Sequence, residues 1–451
     1  MISLLLCAVA FAATLAASRK SVVAGVAAML SVGYFYGIIR ANLPNTVTYF
    51  LFDVSIIALY LGRIGKQVSE EQRARERLLK QWLTPLIGWP FLLLLLPIQD
   101  PLIQLVGFRA HVFFLPVLLL GARLDREDLD WLARVLAALT LCTFGFAVAE
   151  YILGVPRFYP DNAVTSLIYR SNDIRLEGSL IGLFRIPATF VNAAAYGGTM
   201  AVSVPILLGA LFRTGPVRNR GLLGAGLAAA TMGVFFAAAR TNMVILAVLL
   251  VASLLSGKLG AIARFVWMAM LAVIAIVISA NPRLFQRLMS ISPDAIIERL
   301  SWSMNRGVLQ LVADYPMGNG LGGGGNSIPA FLTHLLRNPL HVENQYATIM
   351  LEQGLPGLLI WFAFIIWVLS RPGLRSDDPV FLTRRLTRLA CAAFLATGFI
   401  GVGLFTSIPQ TLLLLLWLGW MAVPPRSVAA DSAADAERVG ATVPAAVTAD
   451  G

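Results

Sequence analysis

The chain has 451 residues, of which 58% are apolar and only 13% charged, with a formal charge of +11 and a mean hydropathy of +0.77. A soluble globule carries roughly 45–50% apolar and about 25% charged residues, so too few charges are present to cover a water-facing surface. That excludes a cytosolic enzyme, a secreted domain and a disordered scaffold, and leaves an all-α polytopic membrane protein.

Taken in chain order, apolar runs lie near 2–17, 21–39, 47–61, 82–98, 103–121, 132–153, 191–212, 221–239, 243–256, 265–280, 346–369, 389–407 and 410–423. A span needs about 20 residues, so the pattern predicts about 12–13 transmembrane helices, with the shorter or more polar runs able to be re-entrant. The first run has no basic residue ahead of it, and Arg19 and Lys20 follow it. That is the wrong order for a signal peptide. Cys7, Cys142 and Cys391 all fall inside apolar runs, which leaves no disulfide framework and no cysteine metal site.

The Lys and Arg residues alternate from loop to loop. One face collects Arg19/Lys20, the cluster Arg63 to Lys80, Arg123–Arg134, Arg213–Arg220, Lys258/Arg264 and Arg371–Arg388, and with Arg426 and Arg438 it holds 23 of the 35 basic residues. By the positive-inside rule this is the cytoplasmic face. The other 12 are all arginine, and nine of them fall in two long outer loops, 154–189 and 281–345. Long loops in a compact protein are usually functional, so the chemistry is expected on the outer face. Three regions follow: 1–180, N-terminal helices and the first long loop; 181–423, a transmembrane core carrying the large loop 281–345; and 424–451, a tail expected to be disordered in the cytoplasm.

Within the core, 341-HVENQYATIMLEQGLPGLL-359 is the densest signal. His341 can take a proton from a hydroxyl near neutral pH, and Glu343 can orient it or share the work. Asn344 would share a face with His341 on a helix. Glu352 is an ionisable residue inside an apolar run, which marks a site, and Gly354, Pro356 and Gly357 after it should break the helix. Upstream, Ile297, Leu300, Met304, Val308 and Leu311 form an apolar stripe at helical spacing, with Arg299 and Arg306 on the opposite side. This reads as an amphipathic helix on the membrane whose two guanidiniums suit a diphosphate. Gly318–Gly325 lacks the Lys-Ser/Thr ending of a nucleotide loop and reads as a flexible turn. Arg240 sits at the mouth of a helix pair, and Arg185 at the lip of a span rich in small residues. Arg109, His111, Asp53 and Glu150 read as lone packing or snorkelling residues.

Arg185 before the small-residue span, Arg240, Arg299 to Trp302, 316-PMGNGLGG-323, 341-HVENQY-346 and 352-EQGLPGLL-359 occur in that order over roughly 180–360. The order resembles the O-antigen ligase and O-antigen or exopolysaccharide polymerase superfamily. The resemblance implies a multi-pass protein of the bacterial inner membrane whose outer loop closes over a glycan on undecaprenyl diphosphate. It also implies arginines that hold the diphosphate, a histidine that acts on the acceptor hydroxyl, and no nucleotide, metal or other cofactor. The acceptor would be a second lipid-linked glycan or lipid A-core, with a chain-length regulator as partner and no nucleic acid. Many ligases carry His directly before the Asn; here Glu343 stands there and His341 lies three residues earlier, which leaves both as base candidates and tilts the reading from ligase towards polymerase. The rival classes are a glycolipid flippase or other polysaccharide-export transporter, and a structural partner of an export complex.

Overall fold

The computed structural model describes residues 1–66, 70–162, 183–213, 217–256, 308–325, 327–340, 344–373 and 380–423, together with scattered positions within 164–174, 264–301, 342 and 378. Among the described residues the chain is helical apart from one two-residue strand pair and the connecting turns. Its helices are α1 (Ile2–Lys20), α2 (Val22–Asn42), α3 (Leu51–Leu61), α4 (Glu70–Leu94), α5 (Pro101–Val112), α6 (Val117–Ala122), α7 (Arg126–Leu153), α8 (Ala193–Leu211), α9 (Arg220–Phe236), α10 (Arg240–Leu255), α11 (Gln310–Asp314), α12 (Gln345–Leu369), α13 (Phe381–Thr397) and α14 (Gln410–Ala422). Asp173–Ile174 pairs antiparallel with Leu183–Phe184. Six stretches among the described residues are long and apolar enough to cross a membrane: α1, α2, the run from α5 through α6, α7, α8 and α12. The Thr46–Leu61 segment, α9, α10 and α14 are shorter apolar helices. A multi-pass membrane protein accounts for this set.

The run 103–121, expected as one span, is two helices. Pro116 has no N–H for the ladder, and residues 113–117 connect α5 to α6 through short bonds such as Val117 N to Phe114 O (3.1 Å). The centre of the bundle is built from α8 and α14, which are apolar all round. Every residue of α14 is buried, as is nearly every residue of α8. A helix without a polar face belongs in the interior of a membrane bundle. Small residues let it pack closely there: a Cβ on Gly419 of α14 would lie 2.0 Å from Leu118 O of α6.

Side-chain contacts sort the charged helix ends into two sets. At one end Arg63 donates to Ser18 O, Arg123 pairs with Glu76, Arg213 with Asp130, and Arg371 donates to Ala422 O. At the other, Asn42 donates to Phe158 O, Asn162 to Ala41 O, and Arg185 to Ala237 O. Arg63, Arg123, Arg213 and Arg371 of the first set are residues that the charge ladder expects inside, and Arg185 of the second is one that it expects outside. The large loop enters only in part: Val308 and Leu311 of the expected amphipathic stripe are buried, whereas Ile297 and Leu300 are exposed. The tail 424–451 lies outside the described residues.

Candidate functional site

A break in α12 organises one group of polar residues. Gly354 has φ +69° and ψ −176°, a conformation that side-chain-bearing residues avoid. In an unbroken helix Leu355 N would donate to Leu351 O. Instead Leu355 N donates to Pro316 O (2.9 Å), and Leu351 O accepts from Asn319 N. The segment 316-PMGN-319 thus occupies the gap and satisfies both freed groups, which would otherwise be orphaned at membrane depth. Gly318 itself has φ +85°, and a Cβ there would lie 2.7 Å from Gly354 N. The Gln99 side chain donates to Asn319 O (2.8 Å) and Arg337 O (2.9 Å) and accepts from Arg337 N (2.9 Å). The glycine turn is therefore not the flexible turn expected from its composition. Residues 319–324 are buried and form a plug seated in a broken helix.

Glu352, one turn before the break, is 1% exposed and faces this plug. Its carboxylate accepts from Gly322 N (3.1 Å) and Gly324 N (3.2 Å), and pairs with Nε2 of His111 at 2.6 Å. Since the carboxylate only accepts, the imidazole contributes Nε2–H. A cavity of about 20 Å³, room for about one water, lies beside the pair and is lined by Ser327, Gln345, Thr348 and Thr406 among others. Gln345, Thr348 and Glu352 recur at helical spacing on one face of α12, and Ser327 Oγ is buried with no hydrogen-bond partner among the described residues. His111 was read from the sequence as a lone residue, and that reading is corrected. Its partner lies 241 positions away on another helix, and the legible hint was only that a carboxylate in a span requires donors.

The second group forms around Arg185. Residues 185–190 strap across one end of the bundle, held by backbone and side-chain hydrogen bonds. Ile186 N donates to Phe236 O (3.1 Å), Arg185 Nε to Ala237 O (3.0 Å), Ala188 N to Glu150 (2.9 Å), and Ile38 N to Thr189 O (3.0 Å). The Tyr159 hydroxyl donates to Ala188 O (2.6 Å) and lies within hydrogen-bond distance of Phe190 O (2.7 Å). The strap brings Arg185 beside Arg240, the first residue of α10. Burial pushes the Arg185 guanidinium below its ordinary value, and the positive charge of Arg240 adds to the shift. Two cations near the N-terminus of a helix make a field that favours a multiply charged anion.

The remaining expected residues divide plainly. Arg299, Arg306, His341 and Glu343 lie outside the described residues. Asn344 is the N-cap of α12, accepting from Tyr346 N (2.8 Å) and Ala347 N (3.1 Å). The helix begins after it, so Asn344 caps rather than sharing a helical face with His341. Asp53 and Arg109 are not lone residues but form a bidentate ion pair, and Glu150 anchors the strap. Among the described residues no three His, Cys, Asp or Glu converge on a metal position. The two groups stand on different elements, the first on α5, α12 and the glycine turn, the second on the 185–190 strap and the start of α10. No known family model matches the chain, and no curated protein sequence matches it.

Proposed function

We propose that this protein transfers or polymerises an oligosaccharide carried on undecaprenyl diphosphate, at the periplasmic face of a bacterial inner membrane. The observation that carries the reading is the Arg185 guanidinium, held on Ala237 O at the helix mouth within the field of Arg240, on the face that the charge ladder places outside. A diphosphate presents several oxygens to two such forks, and its charge grows as the glycosidic bond breaks. The acceptor hydroxyl, on a second lipid-linked glycan or on lipid A-core, attacks the anomeric carbon while the bond to the diphosphate oxygen breaks. The hydroxyl proton passes to His341 or Glu343, and undecaprenyl diphosphate leaves against the arginines, with Arg299 and Arg306 of the large loop adding charge. Because a lipid diphosphate is already an activated leaving group, the step needs no nucleotide or metal.

The test is a set of charge-keeping substitutions. Arg185→Lys and Arg240→Lys retain the charge but lose bidentate geometry. Each should lower transfer by about tenfold or more in membranes supplied with the lipid-linked glycan, since a charge-assisted fork is worth more than one neutral bond. Full activity in both variants, at normal protein levels, would remove the diphosphate role. A protein that instead moves lipid-linked glycan across vesicles without forming a glycosidic bond would establish the transporter reading.

A further inference from the structure

We propose that His111 and Glu352 form a latch that positions the loop leading to the base candidates, which makes both positioning residues for the reaction. The latch itself rests on geometry alone; only its consequence for catalysis rests on the function proposed above. The Glu352 carboxylate gathers three donors from two separate pieces of chain, the amides of Gly322 and Gly324 and the imidazole of His111. Those contacts fix the glycine turn against both α5 and α12. The fit leaves no slack, because a Cβ on Gly107 of α5 would lie 2.2 Å from Gly322 N, and one on Gly324 would lie 2.9 Å from Glu352 Oε1.

The turn passes this constraint on. Asn319 donates through Nδ2 to Asn338 O (3.1 Å), and Gln99 holds Asn319 O and the Arg337 backbone with one side chain. On the far side Asn344 is locked by its cap and Gln345 N by Gly398 O. Only Pro339 to Glu343 lie between the anchored Asn338 and the anchored Asn344, and His341 is the middle of those five residues. Seating the turn therefore sets one end of the segment that carries both base candidates. Misplacement by about 1 Å can cost on the order of a hundredfold in rate.

The experiment measures amide exchange across residues 318–325 in the full-length protein in lipid nanodiscs, alongside transfer kinetics. Glu352→Gln keeps size but replaces one acceptor oxygen by an amide NH2 that cannot accept, and His111→Leu removes the imidazole. Both should speed exchange at Gly322 and Gly324 by about tenfold or more, while exchange in α1–α3 stays unchanged. His111→Gln still offers an N–H and should restore protection to within about threefold of the parent. In kinetics kcat should fall while KM for the lipid-linked donor, held by the arginines on the other helices, stays constant. Unchanged exchange in both Glu352→Gln and His111→Leu would overturn the latch. A loss of kcat with full turn protection would overturn it too, since Glu352 would then act on the reaction directly. If the parent protein shows no transfer at all, the proposed function fails and the exchange arm alone decides the latch.

Discussion

Two glycines in apolar helices should respond in opposite directions to the same added methyl group. Gly88 in α4 has no atom within 4 Å of a built Cβ. Alanine there removes the backbone-entropy penalty of glycine in a helix, a gain of about 0.5–1 kcal/mol. Gly107 in α5 earns the same helical gain, but its Cβ would lie 2.2 Å from Gly322 N and 2.6 Å from Leu321 C. Real Cβ atoms do not approach a neighbour below 3.0 Å, so α5 or the turn must move. Backbone on both sides leaves no flexible side chain to yield. The movement draws Gly322 N away from Glu352, where the present distance is 3.1 Å. Overpacking costs about 1–3 kcal/mol, and a hydrogen bond to a charged group about 1.5–3 kcal/mol. Against a helical gain of under about 1 kcal/mol, Gly107→Ala should be destabilised by about 2–5 kcal/mol. Unfolding of the purified protein in detergent, followed by tryptophan fluorescence against temperature, should show Gly107→Ala below the parent and Gly88→Ala at or above it. Equal midpoints for the two variants would refute the close approach of α5 to the turn.

Other substitutions test other parts of the molecule. Asn344→Ala should lose about 1–2 kcal/mol of stability by uncapping α12, while Asn344→Asp should retain most of it by the same unfolding assay. Asp53→Asn should destabilise by about 1–3 kcal/mol, less than a fully enclosed pair because Arg109 is partly exposed, and the double variant Asp53→Asn with Arg109→Gln should recover part of the loss. Burial disfavours the charged form of Glu76, but hydrogen bonds from Arg123 and Lys80 outweigh it and hold its carboxyl below the usual glutamate value. A depressed folded value means stability present above about pH 4.3, the ordinary glutamate value, and lost as pH falls through the lower folded value. Glu76→Gln should therefore flatten the acid limb of a stability–pH profile, and an unaltered slope would contradict the pairing. In cells, His341→Ala should abolish polymer, a general base being worth about two to four orders of magnitude. His334→Ala, exposed in the Ala330–Leu335 turn, should leave most of it.

The helices were legible because membrane burial demands long apolar runs, and the charge ladder was legible because loop arginines are few and clustered. Arg185 and Arg240 were picked out singly, by their positions at the lips of apolar runs. Their adjacency was not readable, because it depends on a strap whose anchors, Glu150, Tyr159 and Phe236, come from three separate elements. The break after Glu352 could be read from Gly354 and Pro356. What fills the break could not, since composition suggests that a run of glycines is loose. The opposite holds here: glycine allows the turn to enter a gap between two helices, and backbone hydrogen bonds then fix it. His111 was passed over for a related reason. A polar residue in a span with no polar neighbour on its own helix looks isolated until the facing helix is known.

The seated turn also bears on the choice between a transferase and a transporter. Transporters commonly place broken helices at the membrane midplane in matching positions of two repeated halves, where the unwound backbone contacts the cargo. In this chain the carbonyl and amide freed at the break in α12 are both consumed by the chain itself, at Asn319 N and Pro316 O. The nearby carboxylate is likewise occupied by Gly322, Gly324 and His111. A break whose freed carbonyl and amide are taken up by the chain itself provides a rigid seat for a loop. The positive charge of Arg185 and Arg240 lies elsewhere, at the start of α10. A cationic helix mouth suits the proposed stationary chemistry on a lipid diphosphate. The Gly107–Gly322 approach is too close for α5 to slide along the turn without unseating it.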